Sequence, residues 1–365
     1  MKRRNFIHTA GLAGTAGLIA ACGGAKTTAT ECAQRTEDAE FKWKMVTAWP
    51  RDFPGLGTGA SRLAERIGLM SGGRLTVKVF GGNELVPPFE VFDAVERGTA
   101  EMGHGAPYYW KGKVPAAQFF AGAPFGMNAQ EMNGWFYYGG GLDLWREAYA
   151  PFGIIPFPVG NSGPQMGGWF NKEIRSVADL EGLKMRIPGL GGEVLKKAGG
   201  TPQTIPVSEI FTALQTGTID ATEWVGPFND LAVGFHQAAR YYYYPGWHEP
   251  STALEGLVNR TALESLPEDL QQVVSFACQS ANVDMLSEFT ARNGDALEQL
   301  AQLGVEIREF PEDVVQALQA TTAEVLAEVA TNDELSERVY ASFMEFFRRV
   351  QAWSDIGQRA ILDMR

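Results

Sequence analysis

Gly217-Thr218-Ile219-Asp220-Ala221-Thr222-Glu223-Trp224-Val225-Gly226-Pro227-Phe228-Asn229-Asp230 is the stretch around which this chain is organised. A helical run ends at Gly217, the pattern predicts a strand over Ala221 to Val225, and Gly226-Pro227 then breaks the backbone. The strand carries a carboxylate, Glu223, beside a large aromatic, Trp224. A carboxylate among apolar neighbours costs free energy unless a cation or several donors meet it. Two other stretches hold groups that can do so. One is Gly163-Pro164-Gln165-Met166-Gly167-Gly168-Trp169 together with Lys184-Met185-Arg186-Ile187-Pro188-Gly189; the other is Pro245-Gly246-Trp247-His248-Glu249-Pro250. The expectation is a fold that gathers these stretches around a small anion.

Outward from that centre, strands and helices alternate. Phe41 to Ala48 and Leu75 to Phe80 read as strands, with a helix between them over Ser61 to Ser71 and another over Pro88 to Gly98. Glu101 to Gly105 is a short strand, and Tyr108-Tyr109-Trp110 falls where a strand would end. An aromatic-rich helix is predicted over 130–150 and a strand over Ile154 to Gly160. The same style repeats over 162–250, and Gly189-Leu190-Gly191-Gly192 reads as a turn and helix start. It lacks the spacing of a dinucleotide loop or a Walker motif. Beyond a strand at Leu254 to Val258, one or two helices are expected over 268–303, broken at Asn293-Gly294. A strand at Val305 to Phe310 and helix from Pro311 onward complete the chain. The fold class is α/β with two lobes, and the cleft between lobes is the place for a small ligand. The expected domains are 41–161 with about 252–305, then 162–251 with about 306–332, then a C-terminal helix over 333–365. That helix carries a stripe of Leu335, Val339, Phe343, Phe347, Val350 and Trp353, which needs a partner surface, its own body or a second subunit. Tyr241 to Tyr244 would send two rings to each side of a strand.

The ends and the composition narrow the class. Lys2-Arg3-Arg4 followed by an apolar run from Phe6 to Ala21 is an export signal, with a twin-arginine look at Arg3-Arg4-Asn5-Phe6-Ile7. Ile19-Ala20-Ala21-Cys22 resembles a lipobox, so 1–21 is removed and Cys22 carries a lipid, with 22–40 a tether. The formal net charge of the 365-residue chain is −12, which argues against nucleic acid as a partner. An anionic ligand therefore needs positive charge placed locally. Cys32 and Cys278 are too differently placed for a structural disulfide, and no metal-type cysteine spacing exists.

Taken together, Gly163-Pro164-Gln165, Leu180-Glu181-Gly182-Leu183-Lys184-Met185-Arg186, the 217–227 stretch and Gly246-Trp247-His248-Glu249-Pro250 resemble the solute-binding proteins of tripartite ATP-independent periplasmic (TRAP) transporters. The branch it is most similar to binds 2-oxo acids and related monocarboxylates with a metal ion. The resemblance covers about 41–365. It implies a two-lobed periplasmic solute-binding fold with crossover strands and a long helix bracing both lobes. It implies that Arg186 pairs with the ligand carboxylate, that Gln165, Glu223, Glu249 and the backbone carbonyl of Trp224 hold a sodium or calcium ion, and that TRAP membrane permease subunits receive the ligand. Some members pair and swap the C-terminal helix, which implies a homodimer here.

The residues have their own chemistry beside that resemblance. Arg186 can grip a carboxylate bidentately, as Lys cannot; a surface salt bridge is the plain alternative. Glu223 and Glu249 repel one another in a shared site unless a cation joins them, and an oxygen set suits a hard ion; two exposed loop acids are the alternative. His248 is expected on the opposite side of an extended backbone from Glu249. Tyr108, Trp224, Phe228 and Trp247 can wall the pocket or simply belong to the core. Asn229 and Asp230 can cap the helix that follows. The function expected is capture without turnover. The rivals are a metal-dependent enzyme on 2-oxo acids, for which no Ser/His/Asp or Cys/His set is visible, and a structural envelope lipoprotein.

Overall fold

The computed structural model describes residues 40–365; the expected export signal, Cys22, Cys32 and the tether up to Ala39 lie outside the described residues. In chain order the strands are β1 (Phe41–Thr47), β2 (Leu75–Phe80), β3 (Met102–Gly105), β4 (Ile154–Asn161), β5 (Gly168–Phe170), β6 (Lys184–Arg186), β7 (Thr201–Gln203), β8 (Ala221–Thr222), β9 (Tyr241–Tyr244), β10 (Ala253–Asn259) and β11 (Glu306–Glu309). The main helices are α1 (Leu56–Met70), α2 (Val91–Glu96), α3 (Ala129–Tyr138), α4 (Gly141–Tyr149), α5 (Gly189–Lys197), α6 (Val207–Gln215), α7 (Pro227–Val233), α8 (Glu268–Gln302), α9 (Glu312–Ala330) and α10 (Glu334–Ser354). Among the described residues no helix is long and apolar enough to cross a membrane.

The strands form two mixed sheets. The first runs β2-β1-β3-β10-β4, with β1 parallel to β2 and β3, and β10 antiparallel to β3 and β4. The second runs β11-β9-β5-β8-β6-β7, with β5 antiparallel to β8 and β9, and β6 parallel to β7 and β8. The chain crosses between them at 162–167, where β4 leads to β5, and returns at 245–252, where β9 leads to β10. These crossings lie side by side: the Ser162 N–H donates to the Thr252 carbonyl, Gln165 to Glu249 and Gly246 to Gln165, at 3.0, 3.3 and 3.1 Å. The third crossing is α8, which packs on α1 and β4 of the first lobe and on α7 of the second.

Several local expectations change. Helix α8 is unbroken through Asn293-Gly294. Asn293 turns its side chain outward and accepts the Phe228 N–H at 3.0 Å, one of the donors left unpaired at the start of α7. The single helix expected over 130–150 is two, α3 and α4, because Gly139-Gly140 intervenes and Gly140 sits at φ 85°. Tyr108 to Trp110 form a 3₁₀ turn, Pro107–Trp110, with proline at its first position. Strand β7, Thr201–Gln203, pairs in parallel with β6 at the edge of the second sheet. Tyr241 to Tyr244 do form a strand. Both central rings are buried, Tyr242 stacking on Trp169 at 4.1 Å and Tyr243 on Phe310 at 4.7 Å, since both faces of this sheet are covered.

The C-terminal stripe finds much of its partner surface within the chain. Val339 and Phe343 are buried, and the Phe343 ring meets Trp135 at 5.2 Å and Phe119 at 6.0 Å. Trp135 Nε1 donates to Ser342 Oγ at 3.1 Å. Leu335, Phe347 and Val350 pack half-buried on the same core. Beyond them the apolar side chains are exposed: Trp353 at 64%, then Ile356, Ile361, Leu362 and Met364.

Candidate functional site

Strand pairing places the first two groups. In β6, Arg186 is in register with Thr222 of β8, and the Glu223 N–H donates to the Arg186 carbonyl at 3.1 Å. Both side chains leave the strand ends together and both are 1% exposed. Arg186 Nη1 donates to Glu223 Oε1 and, at 3.3 Å, to the Glu223 carbonyl. Its Nη2 reaches the Tyr109 hydroxyl at 3.5 Å, and its guanidinium lies over the Trp224 ring at 4.9 Å. The other Glu223 oxygen accepts from His248 Nε2 at 3.3 Å.

The two crossing segments supply the rest. Gln165 Nε2 donates to Glu249 Oε2 at 2.7 Å, to Thr252 Oγ1 at 2.9 Å and to Ser162 Oγ at 3.2 Å. Thr252 Oγ1 also donates to Glu249. Gln165 and Glu249 are each 7% exposed. Burial, and then the charge of Glu223, push the Glu249 carboxyl up to about 7. The Tyr108 ring packs edge-on against Tyr109, whose hydroxyl meets Arg186, at 4.9 Å between centroids, and burial raises the Tyr108 hydroxyl well above its ordinary value. Two glycines allow the close packing. A Cβ on Gly189, at φ 63°, would stand 3.1 Å from Tyr108, and one on Gly191 would stand 2.8 Å from the His248 Cβ.

The expected residues thus fall in different places. Arg186, Glu223, Trp224, Gln165, Glu249 and Tyr108 come together. Trp247 stands at the edge of the group, its ring 5.6 Å from the His248 ring and stacked on Phe125. The contacts of Phe228 are with Phe289 and Arg292. Asn229 does not cap α7; it donates to the Pro54 carbonyl at 2.7 Å, while Asp230 sits inside the helix and accepts from the Val225 N–H. His248 is the clearest correction. Its segment is turned, with the Trp247 N–H bonded to Pro245 O and Glu249 N–H to Gly246 O, so strand alternation does not apply. Tyr109, Ser162 and Thr252 were not expected. Thr252 follows Glu249-Pro250 closely enough to have been a candidate; Ser162 becomes one only once the crossings are known to run together.

The donor set bears on what ion it can take. Among the described residues no three His, Cys, Asp or Glu side chains gather as a metal site would. An ion here has to use an amide oxygen and a backbone carbonyl beside the carboxylates. Gln165 Oε1 is buried without a partner, and among the described residues no donor reaches the Trp224 carbonyl. These acceptors fit a hard cation. The wider grooves lie elsewhere. One of about 730 Å³ is lined by Lys111, Gln118, Lys197 and Val329, whereas the Arg186 group is closed off, its side chains nearly all buried.

Residues 45–333 match the family model described as bacterial extracellular solute-binding protein, family 7. The chain belongs to this family. It is 41% identical over 360 residues to a Nostoc sp. protein named monocarboxylate 2-oxoacid-binding periplasmic protein, covering 98% of this chain and 97% of that one. A TRAP periplasmic solute-binding protein from Pseudoalteromonas atlantica, solved with bound sodium and pyruvate, is 45% identical with a TM-score of 0.86, over 89% of this chain and 99% of its own. A TRAP solute-binding protein from Bordetella bronchiseptica was solved as a mixed-occupancy dimer with copurified calcium and picolinate. It is 38% identical with a TM-score of 0.88, over 90% and 97% of the two chains. The fold is that of TRAP periplasmic solute-binding proteins, and the family is one of transport components, which sets the enzyme alternative aside.

Proposed function

We propose that this family member captures a small 2-oxo or 2-hydroxy carboxylate together with a sodium or calcium ion, and hands the acid to TRAP membrane permease subunits. The observation that carries the reading is the meeting of Arg186 and Glu223 with the His248-Glu249 turn and Gln165 of the two crossings, where the Gln165 amide oxygen is buried with no partner among the described residues. Gln165, Glu223, Glu249 and the Trp224 carbonyl are assigned to the ion. A bound cation supplies the positive charge that lets two carboxylates share the site and gives the acid's 2-oxygen a ligand position. Arg186, braced by the Trp224 ring and Tyr109, turns from Glu223 to grip the ligand carboxylate. Tyr108 and Trp247 close the pocket, with Phe228 supporting α7 behind it.

Because the group is buried, entry needs the lobes to part, and the crossings at 162–167 and 245–252 are where the chain would bend. The domain limits taken for that motion are 41–161 with about 252–305, and 162–251 with about 306–332. The test is titration of pyruvate into chelator-treated protein, with sodium or calcium added back and propionate as the control. Full-strength pyruvate binding without either ion, or equal binding of propionate, overturns the ion assignment.

The family is periplasmic. We further propose that Cys22 is lipidated and anchors the protein, since it closes the apolar run of the signal. Cys22→Ser should release it from membranes, and an unchanged distribution refutes the anchor. A homodimer through the C-terminal helix is proposed from the exposed apolar tip and the dimer reported for the Bordetella bronchiseptica protein.

A further inference from the structure

Asp230 is a buried carboxylate that the binding scheme leaves unused. One of its oxygens accepts the Val225 N–H at 3.3 Å; the other accepts Trp169 Nε1 at 3.0 Å and the Tyr242 hydroxyl at 2.8 Å. The Val225 N–H belongs to the same peptide unit as the Trp224 carbonyl. That peptide is trans, because the only cis bond among the described residues is Tyr244-Pro245. A trans peptide is planar, and its N–H and C=O point in opposite directions. Holding the N–H therefore fixes where the carbonyl points. The neighbouring carbonyls are occupied: Glu223 O accepts from Thr222 Oγ1 and Arg186, and Val225 O from the Met166 N–H. The Trp224 carbonyl between them accepts from no donor among the described residues.

We propose that Asp230, locked in place by Tyr242 and Trp169, is the positioning residue of the ion site: it holds the Val225 N–H and so aims the Trp224 carbonyl at the ion. The proposal rests on the ion-dependent reading above. It gives the tyrosine run a role. Tyr242 is the member whose hydroxyl reaches Asp230, while its ring stacks on Trp169, the second donor to that carboxylate. Partners that orient a ligand in this way typically change metal affinity about 10–100-fold when removed.

The experiment titrates calcium by calorimetry into chelator-treated full chain, wild type against Asp230→Ala and Tyr242→Phe. The second variant keeps the ring and removes only the hydroxyl. Glu255→Gln, in the other sheet, is the control for a buried carboxylate with no link to the ion. We expect calcium affinity to fall about tenfold or more in Asp230→Ala and less in Tyr242→Phe. Pyruvate binding should recover at raised calcium, and the control should match wild type. If Asp230→Ala fails to fold, Tyr242→Phe decides. Folded variants with wild-type calcium affinity overturn this proposal alone. So does a loss of pyruvate binding that raised calcium does not restore, since Asp230 would then be only a structural support. A wild type that takes up neither calcium nor sodium overturns the ion reading, and this proposal with it.

Discussion

Two buried acids, Glu255 in the first sheet and Glu223 at the end of a strand of the second, meet different surroundings. In the first sheet Glu255, in the middle of β10, faces the Trp110 indole N–H, which donates to it. Burial pushes its carboxyl up to about 8, so it sits in the core as a neutral acid near pH 7. In the second sheet Glu223 is equally buried but meets Arg186 on one oxygen and His248 on the other. Burial alone makes an acid give up its charge. Glu223 is instead paired with Arg186, whose guanidinium is always charged, so a cation stands in a dry place where the proposed anion would meet it. The difference between Glu255 and Glu223 lies in their partners, and sequence position alone would not have revealed it.

The largest expected effect removes the cation from that contrast. Losing a buried charge-assisted pair costs about 2–5 kcal/mol of binding, which weakens a micromolar affinity to between about 30 micromolar and a few millimolar. Arg186→Ala also strands Glu223, so it should lose stability as well as pyruvate binding. Arg186→Lys keeps the charge and loses the fork. Calorimetry should show it folded and strongly weakened, and an unchanged affinity would remove Arg186 from the ligand. Next in size is Glu223→Gln. Ion and acid should each raise the other's affinity by the same factor, of the order of 5–150-fold, and this variant should lose most of it. Coupling that survives in titrations with and without calcium would move the ion away from Glu223.

These tests could be framed from sequence because the decisive stretches are local. Glu223-Trp224-Val225-Gly226-Pro227, Arg186 ahead of Pro188, and Glu249 ahead of Pro250 announce strand ends and turns by composition. What was not legible depends on distant pairing. His248 faces Glu223 because 245–252 is turned, which hydrogen bonds and not alternation determine. Asn293 lies within an unbroken helix, and its side chain accepts from the Phe228 N–H, 65 residues away in sequence. Ser162 and Thr252 join the site because two crossings run side by side. A helix stripe shows that a surface is covered without showing by what.

A smaller effect tests the other half of the contrast. Folded, Glu255 holds its proton up to about pH 8; unfolded, it releases it near its ordinary value of 4.5. Between those values the folded state binds more protons, so stability falls as pH rises through the window and levels off above it. Glu255→Gln should flatten that slope and raise the melting midpoint at pH 8–9 by a few degrees. An unaltered pH profile would mean that Glu255 is charged in the fold and that the two acids do not differ as described.

The smallest effect on the fold is expected at the C-terminal tip. Residues up to Val350 cover Trp135 and Phe119, so deletion from 333 would expose the core of the first lobe and say nothing about assembly. Deletion of 353–365 removes mostly solvent-facing side chains, together with the bond from Ser354 Oγ to Glu131 and the one Gln358 accepts from Asn128, so stability should fall by about 1 kcal/mol. The tip presents Trp353, Ile356, Ile361 and Leu362 along a helical continuation, an apolar edge that a second copy can bury. If it does, sedimentation should show the full-length chain as a dimer and the truncated chain as a monomer that melts only a few degrees lower. Wild-type protein that stays monomeric at high concentration ends the dimer reading. A truncated protein that melts well below wild type in its monomeric form shows instead that the tip folds back on its own lobe.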